Sequence, residues 1–355
     1  MVIAHINRIS TAHPPHDVHQ AYQNFIAQAL APGKARTVFT RMASRAGIAH
    51  RYSVLHQDGL VEADAPRTGF YRRGAYPGTA ARMGAYAEHA PALAERAVAG
   101  LDLGDETARI THLIVASCTG FVAPGLDQLL AKRLGLRPDL LRTVIGFMGC
   151  AAAVPALRVA QATILADPCA RVLVINLELC TLHMQETDDV EIALSFLLFG
   201  DGATAALVTA HPHGLALGNF RTTLIPQTED HITWVIGDQG FIMHLSGKVP
   251  GVISRTLRAD PGAVLGAEGT QAIDLWAVHG GGRTVLDAVQ SGLALPDTAL
   301  TRSRAILAAH GNMSSATIMF VLAGMMPPTS TPGQRGFAMA FGPGMVAETF
   351  HFTAV

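Results

Sequence analysis

Three short stretches hold side chains that could act together: Cys150 in "GFMGCAAAVPALRVA", His279 in "WAVHGGGRTVLD" and Asn312 in "AAHGNMSSATIMFVL". Cys150 follows a glycine and precedes three alanines. A strand-to-helix turn there would set the sulfur at a helix N-terminus, where backbone N–H groups and the helix dipole lower a thiol pKa. A small buried hydrophobe is the other reading of the same residue. His279 ends an apolar run and is followed by three glycines, which let a ligand approach the backbone; a satisfied structural histidine is the alternative. Asn312 stands just before an apolar helical run, where it would serve as a helix cap or as an outward-facing donor. Together, one thiol, one imidazole and one amide at three strand-to-helix corners make a nucleophile, a proton acceptor and an oxyanion donor.

These corners need an alternating scaffold. "HLIVASC" (112–118), "VLVINLEL" (172–179), "ATAALVTA" (203–210), "LWAVHG" (275–280) and "GFAMAFG" (336–342) read as buried strands. "APGLDQLLAKRLGL", "AAAVPALRVAQATILA" and "GRTVLDAVQSGLAL" carry helical periodicity between them. The alternation predicts an α/β fold with helices on both faces of a parallel or mixed sheet. Strand, small-residue turn and helix recur around Cys118–Leu130 and again around His279–Leu293, which points to two similar halves. "TAHPHGLAL" (209–217) is the expected seam, dividing 1–211 from 212–355.

Composition narrows the function. With 355 residues, 49% apolar, 15% charged and 35 glycines, the chain supports a large core. Lys and Arg number 26 against 27 Asp and Glu, so no basic field attracts nucleic acid. The longest apolar stretch, Thr143–Leu157, lies between Arg142 and Arg158 and falls short of the ~20 residues of a membrane span. No signal-peptide pattern is read in "MVIAHINRIS", and a cytoplasmic enzyme is the expectation. Four cysteines without C-x-x-C spacing are expected to be reduced thiols. The histidines of "HINRISTAHPPHDVHQ" lack metal-ligand spacing, and no dinucleotide or P-loop motif is present, so neither metal nor cofactor is expected.

"GCAAAVPALR", "LFGDGATAALV", "WAVHGGGRTVLD", "HGNMSSATIMFVL" and "AFGPGMVAET" together resemble the chalcone synthase superfamily, the type III polyketide synthases of the thiolase fold. The likeness runs in order from about Ile48 to the C-terminus. It implies a thiolase-like fold, two duplicated αβαβα halves forming five layers, a homodimer, and acyl-CoA and malonyl-CoA as substrates. It makes Cys150 the nucleophile that accepts the starter acyl group, with His279 and Asn312 holding the thioester oxygen. Phe199 corresponds to the gatekeeper between CoA tunnel and cavity, and Gly342 and Gly344 to the loop shaping the opposite wall. Ala340 stands where the family usually has glycine. Arg41 and Arg45 match basic residues that bind CoA phosphates, while Val38 replaces a lysine common in plant members.

The departures bear on the product. Cys118, Cys180 and His183 stand where many plant members have cavity threonines, and Met243 and Ser314 join them as expected pocket residues. Trp234 replaces a cavity glycine, which should block a bulky aromatic starter. The pattern W-x-I-G-D-x-G-F resembles the bacterial alkylresorcinol and alkylpyrone synthases, and Ala123 replaces a methionine offered to the partner's cavity. The resemblance therefore implies repeated decarboxylative condensation of malonyl-CoA onto a long-chain acyl-CoA, released as an alkylpyrone or alkylresorcinol. The rivals are a ketoacyl-acyl-carrier-protein synthase III-like condensing enzyme and a catalytically inactive thiolase-fold binding protein.

Overall fold

The computed structural model describes residues 2–61 and 69–355. Val172–Leu179 and Asp201–Thr209 are strands buried at every position. Their sequences therefore show no alternation, as expected where both sheet faces are covered. All five runs read as strands from the sequence contain strands here: His112–Ala116, Val172–Leu179, Asp201–Thr209, Leu275–Val278 and Arg335–Gly342. Four further strands complete the sheet: His5–Ala12, Leu141–Ile145, Leu215–Leu224 and Val346–Ala354. The polar segment His5–Ala12 is a strand because of where it pairs: with Asp201–Thr209 along its length, and with Leu215–Leu224 at His5 and Ile6. No periodicity in "HINRISTA" signals that.

Strand order is Leu275–Val278, Arg335–Gly342, Val346–Ala354, Leu215–Leu224, His5–Ala12, Asp201–Thr209, Val172–Leu179, His112–Ala116, Leu141–Ile145. The pairing at His5 and Ile6, extended by a bond from Leu217 N–H to Ala4 O at 2.8 Å, joins the N-terminal five strands to the C-terminal four. Each half pairs its strands parallel and then antiparallel in the same succession. The N-terminal half adds Leu141–Ile145 at its outer edge, parallel to His112–Ala116.

Between the sheets lie two helices, Ala153–Ala166 and Ala316–Ala323, whose side chains join both sheets in one core with Val174, Ala206, Ala338 and Phe350. Thr79–Ala99 and Leu126–Arg133 cover the outer face of the N-terminal sheet. Val249–Ala259 and Arg283–Gly292 cover that of the C-terminal sheet. Five layers result. The stretch Gly149–Ala166 is apolar and long enough to cross a membrane, yet here its apolar faces fill the layer between the sheets. A hairpin, Ile232–Gly237 with Gly240–Leu245, stands outside the main sheet.

Leu157, fully buried in the central helix, has both sheets within its core cluster. Leu157→Ala should lower unfolding free energy by about 2–5 kcal/mol, measured by denaturant titration. A loss below ~1 kcal/mol would mean that the middle layer is loosely filled.

Candidate active site

The chain enters the central helix through a 3-10 turn at Gly149–Ala151. Gly149 adopts φ 55, and a Cβ there would lie 2.5 Å from Cδ of Pro343. Only glycine meets both demands, and Cys150 is thereby set one turn ahead of helix Ala153–Ala166. His279 follows strand Leu275–Val278 directly, its backbone N–H donating to the carbonyl of Met339 at 2.8 Å. Asn312 is held by a parallel bridge to Phe199: its N–H donates to Leu198 O at 2.7 Å and its carbonyl accepts from Gly200 N–H at 3.0 Å.

Asn312 does not cap the helix that follows; its Oδ1 accepts from the Ser314 N–H at 2.8 Å. Its Nδ2 faces the carbonyl of Gly281 at 3.3 Å and Sγ of Cys150 at 3.9 Å. His279 is 2% exposed, and neither ring nitrogen has a hydrogen-bond partner among the described residues. Cys150, His279 and Asn312 all line one apolar chamber. The structure thus gathers a sulfur, an unpaired imidazole and an amide donor from three distant segments.

The sequence comparisons agree with this geometry. Residues 2–212 match the N-terminal domain of the chalcone and stilbene synthases, and residues 217–355 match their C-terminal domain. The chain belongs to this family. It is a type III polyketide synthase, an acyltransferase of the thiolase-like fold. It is 35% identical over 289 residues to Pks18 of Mycobacterium tuberculosis, described as alpha-pyrone synthesis polyketide synthase-like, covering 77% of this chain and 73% of that one. The crystal structure of PKS-I from the brown alga Ectocarpus siliculosus superposes with a TM-score of 0.88 at 29% identity, covering 100% of this chain and 99% of that one. The 1,3,6,8-tetrahydroxynaphthalene synthase of Streptomyces coelicolor A3(2) superposes at 0.86 with 28% identity over 99% of each chain.

In the synthase the chamber walls include Cys118, Cys180, Phe199, Trp234, Met243, Ser314 and Gly342, all expected from the sequence. Two expected wall residues lie elsewhere. His183 is fully buried behind the wall, where Nε2 bonds the carbonyl of Thr119 at 2.7 Å and Nδ1 accepts from Phe241 N–H at 3.0 Å. With both nitrogens committed and its ring stacked on Phe241, it braces the Ile232–Leu245 hairpin instead of meeting substrate. Gly344 is the left-handed residue, φ 71, of the turn beyond Pro343, outside the chamber. Arg41 and Arg45 are exposed at the end of helix Lys34–Ala43 and just past it, away from the lining. The chain after them crosses the start of helix Arg283–Gly292, Gly47 facing the Arg283 stem.

The protonation states differ from the lowered thiol pKa expected of a sulfur at a helix N-terminus. Burial pushes the Cys150 thiol up to about 11; bonds from Ser314 and Asn312 oppose that shift and the Glu178 carboxyl adds to it. Burial lowers His279 to about 4. The ligand-free synthase therefore holds a neutral thiol and a neutral imidazole, and an ion pair forms only by proton transfer between them.

Glu178 went unnoticed in the sequence, although one carboxylate inside "VLVINLEL" was the available signal. It is fully buried and accepts from Ser315 Oγ at 2.5 Å, Cys118 N–H at 3.0 Å and Thr119 Oγ1 at 2.9 Å. It thereby ties the chamber floor to the loop bearing Asn312. Burial raises its pKa from 4.5 to about 7. The folded state holds that proton more tightly than the unfolded chain, so this contribution to stability is full below pH 4.5 and is lost as pH rises through about 7.

Melting curves from pH 4.5 to 8.5 should accordingly show Glu178→Gln losing less Tm across that window than the parent chain; equal slopes would refute the assignment. Iodoacetamide should alkylate Cys150 of the ligand-free synthase ever faster from pH 7 to 10. A rate already level at pH 7 would show a preformed thiolate.

Proposed function

We propose that Cys150 carries the starter acyl group while malonyl-CoA is decarboxylated and condensed onto it repeatedly, and that the product leaves as an alkylpyrone. The observation carrying this reading is the His279 imidazole, buried beside Cys150 and Asn312 with both ring nitrogens unpaired. A buried polar group without a partner is costly, and an incoming carbonyl oxygen supplies the partner. In the first half-reaction His279 takes the thiol proton, Sγ attacks the acyl-CoA carbonyl, and the departing CoA sulfur regains the proton from the imidazolium. In the second, His279 N–H and Asn312 Nδ2–H hold the malonyl thioester oxygen as carbon dioxide leaves. The resulting enolate carbon attacks the acyl carbonyl on Sγ, the C–S bond breaks and the Cys150 thiolate leaves, taking back a proton from solvent by way of the imidazolium; the extended chain, now on CoA, reloads onto Cys150 for the next round. Asn312 gives up only its long contacts to Gly281 O and Cys150 Sγ for this.

The chamber supports a slim starter. Its volume of about 60 Å³ is room for roughly five waters at ~10–15 Å³ each. Trp234 closes one side, its indole N–H fixed to the carbonyl of Cys118 at 2.8 Å. Met243 lies directly opposite Trp234 in the hairpin, and an unbranched thioether is the wall residue best able to yield to an acyl chain. The description of Pks18 as alpha-pyrone synthesis polyketide synthase-like supports lactone release. Arg41 and Arg45 would meet CoA phosphates near the Arg283 corner. The edge strand Leu141–Ile145 exposes Leu141 and Val144 at 61% and 53%, and Phe121 nearby is 47% exposed, which supports a homodimer across this edge.

Mass spectrometry of products from malonyl-CoA with a panel of starter-CoAs should show pyrones from linear acyl groups. Turnover of aromatic starters alone would reverse the assignment. Cys150→Ala should abolish products, and Asn312→Ala should cost about 10²–10³ in kcat.

A further inference from the structure

Arg51 is fully buried, yet no salt bridge holds it among the described residues. Its guanidinium is spent on neutral groups. Nη1 donates to the carbonyls of Phe196 at 2.7 Å and Phe199 at 2.8 Å, and Nε donates to Nδ1 of His19 at 2.9 Å. Its own backbone is fixed at both ends: its N–H donates to Asp17 Oδ1 at 3.3 Å and its carbonyl accepts from Val18 N–H at 2.9 Å. Burial lowers its pKa to about 10, which leaves it charged at neutral pH. A charge kept from water and hydrogen-bonded only to neutral acceptors, with Asp17 and Asp201 favouring it only through space, is an expensive way to fill space, so its geometry requires a reason.

The stem supplies one. Gly311, at φ 69, lies so close to Arg51 that a Cβ there would come within 2.8 Å of Cγ and 3.0 Å of Cδ. The head of Arg51 therefore grips the peptide of Phe199, and its stem rests on the turn that delivers Asn312. Those two segments are already joined by the bridge from Leu198 and Gly200 to Asn312. The Phe199 ring and the Asn312 amide both face the chamber that holds Cys150.

We propose that Arg51 is a positioning residue for the condensation reaction, fixing the Phe199 peptide with its guanidinium and the Gly311 turn with its stem so that gate and amide donor keep one spacing around Cys150. This rests on the reading of Asn312 as the donor to the thioester oxygen. Lysine cannot reproduce the role, because one ammonium on a flexible stem lacks the planar fork that reaches two carbonyls and an imidazole together. Displacement of a catalytic donor by ~1 Å can cost ~10²-fold in rate while leaving substrate binding nearly intact.

The test compares Arg51→Lys, Asn312→Ala and the double variant, reading Tm, intact-protein mass after one turnover with starter-CoA, and kcat and KM for malonyl-CoA decarboxylation. Arg51→Lys should fold, acylate Cys150, and lose at least about tenfold in kcat with KM changed less than ~3-fold. In the Asn312→Ala background the same substitution should cost less than about twofold, because the group it positions is gone. An Arg51→Lys variant with lower Tm but unchanged kcat would overturn the proposal, as would a full tenfold loss persisting without Asn312. If Asn312→Ala itself decarboxylates normally, the donor reading fails first and separately. Should Arg51→Lys not fold, His19→Leu removes the acceptor of Nε together with the His19–Gln23 bond, and Gln23→Ala controls for the latter: lower kcat at constant KM in His19→Leu beyond that of Gln23→Ala supports the role, and no such excess refutes it.

Discussion

The site depends on one imidazole that no protein group satisfies among the described residues. A buried donor or acceptor left unsatisfied costs about 1–3 kcal/mol, and His279 leaves both ring nitrogens in that condition. A fold could relieve the cost by letting Asn312 or a hydroxyl swing over, and here the backbone forbids it. His279 is fixed through its N–H to the adjacent strand, and Asn312 is fixed through its bridge to Phe199, with its Oδ1 already taken by Ser314. In the reaction proposed above, an incoming carbonyl oxygen would meet these hydrogen bonds, and the preorganisation that makes them useful is the rigidity of the loops around them.

That rigidity comes from close approach. The central helix begins with alanines so that the loop from the other half can lie directly against it. A Cβ on Gly342 would stand 3.1 Å from Cβ of Ala151, and Pro343 occupies the space over Gly149. Larger side chains would push apart the two halves whose meeting makes the chamber. The same closeness explains why the thiol and imidazole rest neutral: partial burial of the one and full burial of the other disfavour a charge on either. Glu178 and His183 act one layer further out. The carboxylate joins the floor to the Asn312 loop and the imidazole joins the floor to the hairpin, and neither touches the chamber.

The three chemical groups and the α/β scaffold were legible in the sequence because each depends on local chemistry. Cys150 and His279 stand beside glycines at strand-to-helix turns; Asn312, expected at a third such turn, stands beside Gly311 between helices Thr301–His310 and Ala316–Ala323, and short apolar runs bounded by turn residues read as covered strands. The strand at His5–Ala12 was not legible, since its sequence is polar and its order comes from neighbours some two hundred residues away.

Tertiary structure alone decided what surrounds those groups. His183 looked like a wall residue until both nitrogens found partners; Glu178 and Arg51 carry no local signal of their role, and only burial gives each specific bonds to residues far along the chain. Protonation and chamber width belong to the same class. Residue type and local pattern are properties of a few neighbouring positions, whereas desolvation, hydrogen-bond partners and free volume are sums over segments that meet only when the chain has folded.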